Sequence, residues 1–146
     1  MGGEDLDHLT AADLMTGEVI TVDADMSLQD AVRTMVTRRI RHLPVIRDGE
    51  VFAMLSDRDV RLMVTDLIDP AERRRYMVST PVTAHASSPV TTAAPDTPAP
   101  ELARELVESR IGCLPVVDAD GRLIGIVTQT DLLNWIARLT EPPAPA

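Results

Sequence analysis

The chain has 146 residues, 45% of them hydrophobic but only 2% aromatic, and its 23 acidic residues outnumber 14 basic ones for a formal charge of −9. A chain of this length buries one good core, here an aliphatic one, and its acidity argues against sequence-independent binding to nucleic acid or an anionic membrane. The only cysteine, Cys113, excludes an intrachain disulfide and a cysteine-rich metal centre, and it points to a reducing compartment.

The first residues, Gly2-Gly3-Glu4-Asp5-Leu6, lack the basic and apolar stretches of a secretion signal. No apolar run approaches the ~20 residues that span a bilayer. A soluble, cytoplasmic protein is therefore expected. Thr10-Ala11 opens a short turn, and a short strand follows over 19–22. Ser27 then caps a helix, with Asp30 three residues on, and Leu28, Ala31, Val32, Met35 and Val36 form its apolar face. A strand over 43–46, the tight turn Asp48-Gly49 and a returning strand over 51–55 lead to a helix that starts at Ser56 or Asp57. The stretch 66–77, with Pro70 and Arg73-Arg74-Arg75, reads as a connector with one turn of helix before Thr80-Pro81, a turn that matches Thr10-Ala11. A strand over 90–93 comes next, then a helix over 99–108 with Thr97 as cap and Pro98 at its first position. Strands over 114–117 and 123–127 flank the turn Asp120-Gly121, and a last helix runs from Thr128 to a proline-rich, loose tail over 140–146.

This order occurs twice. The block 14–62 is echoed by one from about 85 to 133, at a spacing of 71 residues that becomes 72 after one loop insertion. Arg39-Ile40-Arg41-His42-Leu43-Pro44-Val45-Ile46 answers to Arg110-Ile111-Gly112-Cys113-Leu114-Pro115-Val116-Val117. Likewise Ser56-Asp57-Arg58-Asp59 answers to Thr128-Gln129-Thr130-Asp131. Two copies of one unit imply a single packed module with an internal pseudo-two-fold, whose halves stabilise each other. In each hydroxyl-x-x-Asp pair a hydroxyl at the first turn of a helix and a carboxylate three residues later lie on one side. A ribose diol can donate to that carboxylate while the hydroxyl and the free helix amides meet sugar or phosphate oxygens. The same pairs also read as plain helix caps.

The paired Leu-Pro-Val motifs and paired hydroxyl-x-x-Asp motifs resemble tandem CBS domains, the cystathionine-beta-synthase-type repeats that assemble into a Bateman module. The resemblance covers about 120 residues. It implies an α/β (α+β) fold of two β-α-β-β-α repeats, at 8–66 and 80–139, joined by a connector at 67–79. Their sheets pack face to face and leave two clefts that in this family commonly hold AMP, ADP, ATP or S-adenosylmethionine. The family pattern places Thr21 and Thr92 against the adenine, and it directs the residues before Leu-Pro-Val toward the phosphates. Arg41 and His42 can neutralise phosphate through charge-assisted hydrogen bonds, whereas Gly112 and Cys113 cannot. The sites are accordingly expected to be unequal, the one using Thr128 and Asp131, with Thr21 and Arg41-His42, binding better than the one using Ser56 and Asp59. Pro44 and Pro115 belong to the same set, Cys113 reads as inert core or pocket lining, and Arg58 adds charge or stays on the surface. Ala53 where the second copy has Gly125, and Ala99 where the first has Leu28, depart from an even repeat.

No Gly-rich phosphate loop, no His-Glu-x-x-His zinc motif and no paired catalytic acids occur, so neither enzyme activity nor a required cofactor or metal is expected. The reading is a regulatory module sensing adenosine nucleotides and signalling through an unknown effector protein or through oligomerisation. The alternative is a ligand-free structural or protein-interaction module. The family resemblance further implies a homodimer, for which Met35, Leu62, Met63, Leu133 and Ile136 are the interface candidates, each with an intramolecular core role as the other reading.

Overall fold

The structure, a computed structural model, describes residues 8–88 and 90–139; the segment 1–7, Pro89 and the tail over 140–146 lie outside the described residues. The elements in order are α1 (Ala11–Leu14), β1 (Val22–Asp23), α2 (Leu28–Arg38), β2 (His42–Arg47), β3 (Glu50–Ser56), α3 (Asp57–Val64), α4 (Pro70–Ser79), a 3-10 turn (Val82–Ala84), α5 (Ala99–Ser109), β4 (Cys113–Val117), β5 (Leu123–Thr128) and α6 (Gln129–Leu139). They form two compact units.

One unit holds residues 20–88 and Val90. Its sheet has the order β1-β2-β3, with β1 parallel to β2 and β2 antiparallel to β3. The hairpin closes on Asp48 (φ 52°) and Gly49 (φ 81°), two left-handed residues that match the right-handed twist of the flanking strands. Leu28, Ala31 and Met35 of α2 are buried with Val22, Leu43, Val45, Ala53, Leu55, Val60 and Val82. Spacings of three and four residues put the three α2 side chains on one stripe. Val36 falls off that stripe and is 73% exposed, contrary to its placement on the apolar face.

The other unit is discontinuous, joining residues 8–19 to 91–139. Its sheet has two strands, β4 and β5, antiparallel. The strand expected over 90–93 contracts to one parallel bridge between Ala93 and Val116. Ala93 donates to Pro115 O and accepts from Val117 N, and the chain then turns through Pro95, which ends any ladder. The first copy shows the same contraction, with β1 reduced to Val22–Asp23. The inserted residue falls in the β4–β5 loop, where Asp118 Oδ1 accepts from the Asp120 and Arg122 amides and Gly121 takes φ 81°. Ala11, Ala93, Ala99, Leu102, Leu106, Leu114, Val116, Val127, Leu132 and Trp135 make the core.

Packing units and sequence copies thus part company at the lead-in segments. Residues 8–19 open the first repeat yet complete the second unit: Leu9 O accepts from the first α5 amide, Ala99 N (2.9 Å), and Thr16 exchanges two hydrogen bonds with Ile126 (3.0 and 3.1 Å). Residues 80–88 mirror this on the first copy, through Thr80 O to Leu28 N (2.9 Å) and the Ser87–Met54 pair (3.0 and 2.8 Å). Ala11 and Val82 are the matching core plugs, both fully buried.

Two local readings change. The connector holds a helix of ten residues, α4, whose Asp69 cap accepts from Ala71 N and whose Pro70 sits in the first turn. Its sequence lacks an apolar stripe, so periodicity missed what the Asp-Pro start signalled. Thr97 does not cap α5; Pro98 holds that position, and Thr97 Oγ1 accepts from Ala94 N instead (3.1 Å).

Candidate functional site

In the unit of residues 20–88, α3 begins with a reciprocal capping box. Asp59 N donates to Ser56 Oγ (3.0 Å), and Ser56 N donates to Asp59 Oδ2 (3.1 Å). The β2–β3 register sets His42 across from Ser56, and Arg41 O accepts from Asp57 N (2.8 Å), which ties the start of β2 to the first turn of α3. Strand pairing therefore gathers Arg41, His42, Ser56, Asp57 and Asp59. Burial lowers the His42 pKa below its usual 6.5; Asp59 and, more weakly, Asp57 oppose that, while Arg41 adds to it. Asp57 is paired with Arg61 (3.1 Å). Its part in the charge balance around His42 was missed from the sequence, although it sits inside the Ser56–Asp59 motif.

The other unit repeats the frame with different chemistry. Thr128 N (2.8 Å) and Thr128 Oγ1 (3.1 Å) both donate to Asp131 Oδ2, and Asp131 N donates back to Thr128 Oγ1 (3.3 Å). Cys113 stands across from Thr128 in the β4–β5 register, and Gly112 O accepts from Gln129 N (3.0 Å). Where the first unit has Arg41, His42, Asp57 and Arg58, this one has Gly112, Cys113, Gln129 and Thr130. Burial pushes the Cys113 thiol up to about 12, so it is no nucleophile.

The remaining predicted residues divide by exposure. Pro44 and Pro115 are buried and face Met54 and Ile126 across their hairpins. Thr21 and Thr92 are exposed beside the first-strand bridges Val22–Val45 and Ala93–Val116, and Arg58 is exposed on α3. Both hydroxyl–Asp pairs cap their helices, and in both the cap occupies only Oδ2. Oδ1 of Asp59 and of Asp131 receives no hydrogen bond from a described residue, so each carboxylate keeps an acceptor for an incoming diol. A third such box, Thr10–Asp13, starts the four-residue α1. Among the described residues no three His, Cys, Asp or Glu gather as a metal site, and no helix is long and apolar enough to cross a membrane.

Comparison with known proteins agrees with this frame. The model of the family described as "CBS domain" matches residues 11–66 and 75–138. A CBS domain-containing protein of Dictyostelium discoideum is 32% identical over 145 residues, covering 90% of this chain and 94% of its own length. Among solved structures, CBSX2 in complex with AMP is 27% identical with a TM-score of 0.76, covering 91% of this chain and 99% of that one. A CBS domain pair solved with 5′-methylthioadenosine and S-adenosyl-L-methionine has a TM-score of 0.78 at 21% identity, covers 90% of this chain and 98% of that one, and bears on the fold alone. The family model accounts for most of this chain, so what it carries is a regulatory CBS-domain module and not a catalytic domain. Two repeats, each closed by its hairpin and its capped helix and both matched by one family model, place the chain in the CBS-domain family as a tandem pair.

Proposed function

We propose that this CBS pair senses an adenosine nucleotide, AMP, ADP or ATP, and hands the signal to a partner protein or to its own oligomeric state. The observation that carries the reading is the duplicated capped carboxylate, Asp59 and Asp131, each held through Oδ2 with Oδ1 open. A vicinal diol supplies the two donors such an acceptor needs, and a charged acceptor makes the stronger hydrogen bond. The AMP complex of CBSX2, a relative at 27% identity, supports an adenosine-containing ligand over another sugar. In this reading Thr21 and Thr92 meet the base, and Arg41 with His42 meets a phosphate. S-adenosylmethionine is the further ligand to include. The lone cysteine fits a cytoplasmic setting.

The test is a thermal-shift and calorimetry panel of AMP, ADP, ATP, GTP and S-adenosylmethionine. A ligand that binds only the folded form raises the melting temperature by mass action. The expected result is a shift and measurable heat with adenosine compounds and none with GTP. Silence from all five at several millimolar would leave the second reading, a ligand-free interaction module in which both boxes serve as helix caps.

A further inference from the structure

We propose that His42 and a ligand's diol compete for the Asp59 carboxylate, so that proton uptake by His42 closes the Asp59 site. This rests on the reading of Asp59 as a ribose acceptor and adds its regulation. The geometry is local to one unit. β2 brings His42 to the level of Ser56, whose amide is held by Asp59 Oδ2, and the bond from Asp57 N to Arg41 O keeps strand and helix start together.

The charged groups that act on His42 are Asp59 and Asp57 from α3 and Arg41, the residue just before its own strand. Asp57 already has Arg61 as its counter-charge at 3.1 Å, whereas Asp59 makes no ion pair with a described residue. An imidazolium at His42 therefore finds in Asp59 the one facing carboxylate without a cation of its own among the described residues. No described residue hydrogen-bonds the His42 ring, so the ring is at liberty to take that partner. At neutral pH burial keeps His42 uncharged, and Asp59 Oδ1 stays open.

The second unit supplies an internal control. Cys113 occupies the position of His42, and its thiol, pushed up to about 12, stays neutral throughout the range in which an imidazole titrates. Asp131 therefore lacks the competitor, and with adenosine, which offers His42 no phosphate, acid acts on the Asp59 site alone.

Two measurements test this. In the first, the His42 imidazole is titrated by NMR in the wild type and in Asp59→Asn, which keeps an oxygen to cap Ser56. Loss of the carboxylate should shift the His42 midpoint to lower pH, and an unchanged midpoint overturns the pairing. In the second, adenosine, which has no phosphate to attract His42, is titrated calorimetrically at pH 7.5 and at one pH unit below the His42 midpoint found by NMR, into Asp131→Asn and into Asp131→Asn/His42→Gln. The first protein should lose affinity several-fold at the lower pH, bounded by ~10-fold for each pH unit below the His42 midpoint. In the His42→Gln protein the ratio of the affinities at the two pH values should stay near one, whatever its absolute affinity. Equal pH dependence in both proteins overturns the competition while leaving nucleotide binding intact. Absence of adenosine binding at either pH, in these proteins and in the wild type, refutes the nucleotide reading itself, and the competition with it.

Discussion

Asp131 and Asp59 occupy the same place in their repeats but are not held alike. Asp131 is fixed by three hydrogen bonds to Thr128, Asp59 by two to Ser56, and only Asp59 has a histidine at its side. A carboxylate already locked in place loses less freedom when a ligand arrives. Asp131→Ala is therefore expected to cost about 1.5–3 kcal/mol of nucleotide binding, the range for a charged hydrogen-bond acceptor, and to cost more than Asp59→Ala. Calorimetry with AMP ranks the two, and the reverse order would make Asp59 the principal site. Arg41→Ala should weaken ATP and ADP more than adenosine, because a guanidinium acts on phosphate. Acid stability belongs to this scale as well. The folded-state pKa of His42 is depressed, so its contribution is present above the unfolded value of 6.5 and is lost as pH falls through the folded one. His42→Gln should flatten the decline of melting temperature in that window relative to wild type. Cys113, with its thiol pushed up to about 12, should resist a thiol-specific disulfide reagent at pH 8 in the native protein and react at once in denaturant. Fast native reaction would contradict its burial.

Among the elements, the two hairpins show how one fold tolerates unequal side chains. In the second unit Met15, just after α1, lies on the bare backbone of Gly125, where an added Cβ would collide with its Sδ, Cγ and Cβ. In the first, the matching positions are Ala86 and Ala53, both small, with Ala86 packed on the core to which Ala53 belongs. Gly125→Ala should therefore cost about 1–3 kcal/mol by overpacking, and much less in a Met15→Ala background, which restores the first unit's pairing. Urea denaturation of the four proteins in this cycle gives the coupling; a coupling near zero would mean that Met15 shifts aside freely. The sequence made most of these elements legible, because the hairpins, the aliphatic stripes and the Ser56 and Thr128 caps are written within a few residues of where they act. It did not reveal Val36 pointing outward, since a helix that packs on one narrow stripe leaves a fifth apolar residue off it. It hid α4 because a helix without an apolar face has no periodicity to read. The contact of Met15 with Gly125 escaped too, since it links residues 110 positions apart. As for the candidate site, motif spacing identified the hydroxyl–Asp pairs, but the presence of His42 beside Ser56 depends on strand register, which only the folded hairpin supplies.

At the scale of the whole chain, each lead-in segment finishes the unit built on the other copy. Residues 8–19 give the second unit Ala11 for its core, a carbonyl for the first amide of α5 and a bonded partner for Ile126. Deleting residues 1–19 should thus loosen β4 and β5 more than β2 and β3, although the cut lies at the far end of the sequence. Amide hydrogen exchange reports this directly; equal protection of both hairpins would mean the segment is dispensable. The outer helices pose the complementary question of what covers them. Of the residues expected at a subunit interface, Met35 is 5% exposed and belongs to the core, and Met63 is half-buried against it. Leu62 on α3 and Leu133 on α6 remain 62% and 64% exposed, and Ile136 is exposed on α6. The proposed homodimer would bury these side chains, and a specific pairing should cover at least ~1,000 Å² in total. Two-fold symmetry would bring equivalent surfaces together, so one substitution acts twice in each dimer. Light scattering at micromolar protein should give twice the 15.9 kDa of the chain, and Leu62→Glu with Leu133→Glu should return it to the monomer without loss of helix content. A mass near 15.9 kDa for the unaltered protein, with and without AMP, would show instead that the module signals as a monomer and that its exposed leucines await a different protein.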